Sequence, residues 1–121
     1  MMGPNHPETQ FAIANLAGVL AAQKRYMEAE RLYREALEGE IKALGDNHPE
    51  IANAWYNLAT VEAAQGKRAK ALVDLHKAID HGYNDPDEIA QEPSWKAMGG
   101  DADYREAFEV IKSHNGKNSG K

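Results

Sequence analysis

The sequence has no cysteine. That excludes disulfides, thiolate nucleophiles and cysteine-based zinc sites, and it agrees with an expected cytoplasmic location. No apolar run approaches the roughly 18 residues that a membrane-spanning helix needs. The opening, Met1-Met2-Gly3-Pro4-Asn5-His6, has no basic stretch followed by an apolar core, so no secretory signal is read. Positive charge is in deficit. Lys and Arg number 14 against 19 Asp and Glu, which gives a formal net charge of -5 and a sequence pI near 5.5. Nucleic-acid binders carry a basic footprint that this chain lacks, and an anionic membrane surface would repel it. Stretches alternating apolar and polar residues are also missing, which argues against strands. What remains is a soluble-type composition, 42% hydrophobic and 27% charged, in a length that suits one domain.

The strongest positive signal is an internal repeat. Gly3-Pro-Asn-His-Pro-Glu8 returns as Gly45-Asp-Asn-His-Pro-Glu50. At the same offset Asn15-Leu16-Ala17 falls on Asn57-Leu58-Ala59, and Ala21-Ala22-Gln23 on Ala63-Ala64-Gln65. Residues 3–44 set against 45–86 without gaps share 15 identities. Coincidence at this composition gives roughly two or three.

Each unit reads as two helices. Ile13, Leu16, Ala17 and Leu20 recur at helical spacing and mark one apolar face of a first helix. Asn5 or His6 is its expected cap, with Pro7 in the first turn. Ala29, Leu32, Tyr33, Ala36 and Leu37 mark a second helix running to about Leu44, with Gly45 as its stop. In the second unit Trp55, Leu58 and Ala59 line one helix, Gly66 sits in the turn, and Ala71, Leu75, Ala78 and Ile79 line the next, which ends at Gly82. Antiparallel helices approach closely only where small side chains meet. Ala17, Ala29 and Ala36 are expected to nest the first pair, and Ala59, Ala71 and Ala78 the second. A large residue at such a contact overpacks it by about 1–3 kcal/mol.

These residues resemble the tetratricopeptide repeat. Trp55…Leu58-Ala59…Gly66…Ala71…Leu75…Ala78 and Ile13…Leu16-Ala17…Leu20…Tyr26…Ala29…Tyr33…Ala36 follow its alternation of bulky and small residues. The long period and the Gly-x-Asn-His-Pro-Glu linker are similar to the kinesin light chain subclass. The resemblance covers residues 3–86 and implies an all-α superhelix of two hairpins. Two positions depart from the pattern. Glu62 stands where Leu20 stands one repeat earlier, and Arg68 replaces Tyr26.

Beyond Pro86 the repeat stops. A short helix over Glu88 to Gln91, a turn of helix around Ser94 to Met98, and an amphipathic helix from Tyr104 to about Ser113 are expected. Stacked arrays need a covered end. Residues 87–113 are expected to supply it, with Trp95, Met98, Tyr104, Phe108 and Ile111 facing inward. Residues 114–121 are expected to be disordered. No comparable cover precedes residue 7. Either the chain is a piece of a longer array or that face meets a partner. Stacked folds typically need at least three repeats, and two repeats with a cover sit near that limit, so self-association is a further expectation.

The resemblance also implies a concave groove lined by the first helix of each unit. Phe11, Ala14, Asn15, Gly18, Ala21 and Ala22 would face it from one, and Asn53, Tyr56, Asn57, Thr60, Ala63 and Ala64 from the other. An asparagine amide can donate to a peptide carbonyl and accept from its N–H together. Asn15 and Asn57 would form such a ladder, or instead bond their own neighbours. Phe11 and Tyr56 would be aromatic anchors, or instead interhelix packing. The groove positions carry no Lys or Arg, so the carboxylate clamp of chaperone-binding relatives is not expected. Lys67, Arg68 and Lys70 read as a solvated face rather than a phosphate site.

Catalysis and metals find little support. His76 and His81 do not share a helical face, and His6 and His48 belong to the linkers. No metalloprotease-type histidine motif, Ser–His–Asp pattern or phosphate-cradling loop is present. A non-enzymatic module without a cofactor is expected. It would bind a peptide segment of another protein, or else act as a self-assembling or spacer segment of a larger scaffold.

Overall fold

Two helical hairpins follow one another, α1 (Pro7–Ala22) with α2 (Tyr26–Leu44) and α3 (Pro49–Ala64) with α4 (Arg68–Asp80). Then come α5 (Pro86–Gln91), α6 (Pro93–Lys96) and α7 (Ala102–Ser119). The structure, a computed structural model, describes residues 7–119, and side chains from 9 to 115. Among the described residues there is no strand. The fold is all-α, an array of helical hairpins, as expected.

Local chemistry explains where the helices begin. Proline opens α1, α3, α5 and α6, where its missing N–H would have had no partner anyway. His48 Nδ1 accepts the Glu50 N–H at 3.1 Å and caps α3. Asp85 accepts from Glu88 N–H at 3.0 Å and caps α5. The caps expected for α1, Asn5 and His6, lie outside the described residues.

The ends are closed by one backbone device. Arg25 N–H donates to Leu20 O at 2.8 Å, Lys67 N–H to Glu62 O at 3.0 Å, and Tyr83 N–H to Ala78 O at 2.8 Å. The residue before each donor must adopt a positive φ. Gly66 (78°) and Gly82 (106°) do so without a Cβ, but the first hairpin uses Lys24 at 65°. The left-handed region costs a non-glycine residue about 1–2 kcal/mol, partly offset by the greater freedom glycine loses on folding. Lys24→Gly is therefore expected to stabilise the domain by about 0.5–1 kcal/mol, and Gly66→Lys to destabilise it by a similar amount. Urea midpoints of the two variants check this, and a Lys24→Gly that lowers the midpoint contradicts it.

The alanine contacts hold as expected. Ala17, Ala29, Ala59, Ala71 and Ala78 are completely buried, and Ala36 almost so. Between the hairpins, Leu37 of α2 packs on Ile51, Ala54 and Leu58 of α3. Leu16, on the same apolar face as Ile13 and Leu20, is 52% exposed, whereas Leu58 one repeat later is fully buried. The reason is positional: α2 covers that face of α3, and no described helix covers the matching face of α1.

The two off-pattern charges find partners. Arg68 pairs with Asp101 and, at 3.8 Å, with Asp103 at the start of α7. Glu62 is fully buried, yet Arg34 reaches it at 3.3 Å and Lys70 at 3.8 Å.

The last helices close the array's end. Trp95, Tyr104 and Ile111 are buried in one cluster with Leu75, Ile79 and Ile89, and Met98 and Phe108 pack against it. Trp95 Nε1 donates to Thr60 Oγ1 at 2.8 Å, and its ring stacks on Tyr104 with centroids 5.6 Å apart. The expected end of the terminal helix near Ser113 is corrected. α7 continues to Ser119, so residues 114–119 are helical where disorder was expected. Asn115 ties this turn back by donating to Asn84 O at 3.0 Å.

Candidate functional site

Two adjoining cavities, of about 300 and 350 Å³, open along the face formed by α1 and α3. Tyr33 and Asn57 border both, so they make one continuous groove. All seven residues singled out from the sequence lie on its walls. Phe11, Asn15, Asn53 and Asn57 line the first cavity. Gly18, Tyr56 and Thr60 join Asn57 in the second. Ala14, Ala21, Ala22 and Ala64 keep the walls low, while Ala63 packs against the core instead.

These residues divide by what already holds them. Tyr56 is almost wholly buried and lies flat on Tyr83, with ring centroids 4.3 Å apart. Burial raises its hydroxyl pKa. The expectation of Tyr56 as an open aromatic anchor meets a ring already stacked within the protein. Thr60 Oγ1 donates to Tyr56 O at 2.9 Å and accepts from Trp95, so it serves the packing of α6. Phe11 is 37% exposed and Asn15 and Asn53 are exposed, with Asn57 half-buried. The amides of Asn15, Asn53 and Asn57 make no hydrogen bond among the described residues.

Sequence reasoning missed part of the wall because it took only the first helices. Tyr33, Ala36 and Glu40 of α2 form the floor. Glu50 borders the first cavity, and Glu88, Glu92 and Ser94 of the closing segment border the second. Burial first, and then the charge of Glu50, push Glu40 up to about 7. Burial and the nearby Glu92 raise the Tyr33 hydroxyl. A signal for Glu40 existed, since it follows Ala36 by one helical turn on the same face.

A second charged cluster lies elsewhere and is internally neutralised. Glu30 meets Lys67 at 2.9 Å, Arg34 at 3.1 Å and Lys70 at 3.4 Å. Burial alone would raise its pKa, but the hydrogen bonds from Lys67 and Gln65 and the lysine charge outweigh that and hold it near 2. Lys67 and Lys70 are therefore ion-paired and not free for an anion.

Glu62 shows the opposite shift. Burial, and then Asp74 beside it, push it up to about 8, with Lys70 pulling the other way. Glu62 Oε1 and Asp74 Oδ2 are both buried without a donor, which a proton held between the two carboxyls would satisfy. The Glu62 contribution is complete below its ordinary value of 4.5 and is lost as pH rises toward about 8. The Glu30 contribution is present above 4.5 and is lost as pH falls through about 2. Stability is expected to fall between pH 5 and 8 by on the order of 1–3 kcal/mol. Glu62→Gln should remove about half of that slope or more, the raised Glu40 carrying the rest. Urea unfolding at both pH values checks this, and an unchanged slope in Glu62→Gln contradicts it.

Two histidines serve structure. His81 Nε2 lies 3.1 Å from Asp46 Oδ1, and His48 caps α3. Among the described residues no group of three His, Asp or Glu side chains is placed to hold a metal.

The family model described as Tetratricopeptide repeat matches residues 3–81. With the alanine-nested hairpins and their shared groove, this shows that the chain belongs to the tetratricopeptide repeat family. Repeats of this family are in general protein–protein interaction modules. A search of curated proteins returns no match. No helix among the described residues is long and apolar enough to cross a membrane.

Proposed function

We propose that the groove holds an extended segment of another protein, and that the chain is a non-enzymatic adaptor of the kinesin light chain-like type acting in the cytoplasm. The observation that carries this is the row of Asn15, Asn53 and Asn57 on one continuous wall, with amides that no described neighbour takes up. Such amides can clasp a peptide backbone whatever its side chains. Phe11 adds apolar contact at one end of the groove.

Replacing both Asn15 and Asn57 by alanine should weaken binding of a display-selected peptide by about tenfold or more, because two backbone contacts are lost at about 1 kcal/mol each. The circular dichroism melt should be unchanged, since neither side chain supports the core. Equal affinity in the double variant removes the proposal.

One observation favours a second reading. Leu16 and Val19 are each 52% exposed on the outer face of α1. On that reading the chain is a self-assembling or spacer element that stacks through this face. A monomer by light scattering at all concentrations counts against it.

A further inference from the structure

One carboxylate of the groove, Glu40, differs from the buried Glu30 and Glu62 in what surrounds it. Glu30 has three cations within 3.4 Å, and Glu62 has Arg34 and Lys70, while the buried Asp74 lies beside Glu62. Glu40 is equally withdrawn, at 4% exposure, but no described residue pairs with it or donates to it. It borders the first cavity. Leaving a buried carboxylate without donor or counter-charge is costly, and a cationic guest in that cavity would relieve the cost.

Three more carboxylates stand around the same channel. Glu50, from the start of α3, borders the first cavity, and Glu88 and Glu92, from α5 and the turn after it, border the second. The four come from three stretches of chain, α2, the start of α3 and the segment 88–92, so they are not the outward face of one helix. Among the described residues, neither cavity has a Lys or Arg on its wall. An anionic segment would meet repulsion along the whole groove, and a neutral one would leave Glu40 unanswered.

We infer that the groove selects a cationic polypeptide segment, an extended stretch carrying Lys or Arg side chains, with Glu40 and Glu50 taking one cation and Glu88 and Glu92 another. The inference rests on the groove reading above. The asparagines hold the backbone and the glutamates choose the side chains, since charge-assisted hydrogen bonds are the stronger and more selective kind. Complementary charge also speeds encounter and makes it sensitive to salt.

The test is selection of random peptides of about twelve residues on the full chain, followed by fluorescence anisotropy of the enriched sequences. The expected ligands carry net positive charge. Glu40→Gln with Glu50→Gln should weaken them by about tenfold or more. Glu35→Gln with Glu38→Gln, exposed residues on α2 that change net charge equally, should stay within about twofold. Circular dichroism of both double variants confirms that each is folded. Enriched neutral or acidic peptides that still need Asn15 and Asn57 overturn the charge inference and leave the groove reading standing. Equal losses in the two glutamine pairs show net charge alone at work and also overturn it. If no enriched peptide depends on Asn15 and Asn57, both readings fall.

Discussion

Leu58→Ala is expected to destabilise the domain by about 3–5 kcal/mol, and Leu16→Ala by less than about 1 kcal/mol. The two leucines are equivalent by sequence, each in an Asn-Leu-Ala triplet one repeat apart. Their environments are not equivalent. Leu58 is completely enclosed between α2 and α3, whereas half of Leu16 faces outward. Truncating an enclosed leucine loses its transfer free energy and leaves a cavity. Truncating one at an open face loses only part of the first term and creates no void. Urea unfolding of the two variants measures the difference. Similar losses at both sites would mean that the outer face of α1 is covered in solution and that the hairpin order described above is incomplete.

Trp95→Ala is expected to cost about 3–5 kcal/mol and to loosen everything after Pro86. The indole is completely buried although it sits on a helix of only one turn. α6 cannot hold itself by its own hydrogen bonds, so its place depends on what Trp95 touches: Thr60 on α3 and the ring of Tyr104 on α7. Trp95→Phe keeps much of the packing and leaves Thr60 without its donor, at about 1 kcal/mol plus the lost volume. Hydrogen exchange gives the spatial check. Amides of α7 should lose protection in Trp95→Ala while those of α1 and α2 keep theirs. A loss below about 1 kcal/mol, or uniform deprotection, contradicts the role given to this side chain.

Much of the fold was legible because it rests on periodicity and size. The six alanines read as helix contacts are all buried, and Gly66 and Gly82 end their helices at positive φ. Trp95, Tyr104 and Ile111 turn inward as their spacing suggested. What the sequence left open shares a cause, which is dependence on a neighbour that the repeat does not encode. Leu16 follows the apolar pattern, but burying it requires a preceding helix. Tyr56 has the type and position of a groove anchor, yet Tyr83, from the linker after α4, stacks upon it. Lys24 takes a left-handed turn that its identity does not announce. The glutamates of the groove escaped for the same reason. Each is an ordinary charged residue in its own helix, and only the packing of α2, α3 and the closing segment brings them to one channel.

Which face of this array receives a partner is decided by the groove amides. A ¹H–¹⁵N titration with a display-selected peptide, following the side-chain amides of asparagine, addresses that directly. Saturable shifts at Asn15, Asn53 and Asn57, with the backbone around Leu16 and Met27 unmoved, are the predicted result. Shifts confined to the outer face of α1 and the start of α2, with those three amides silent, would contradict it.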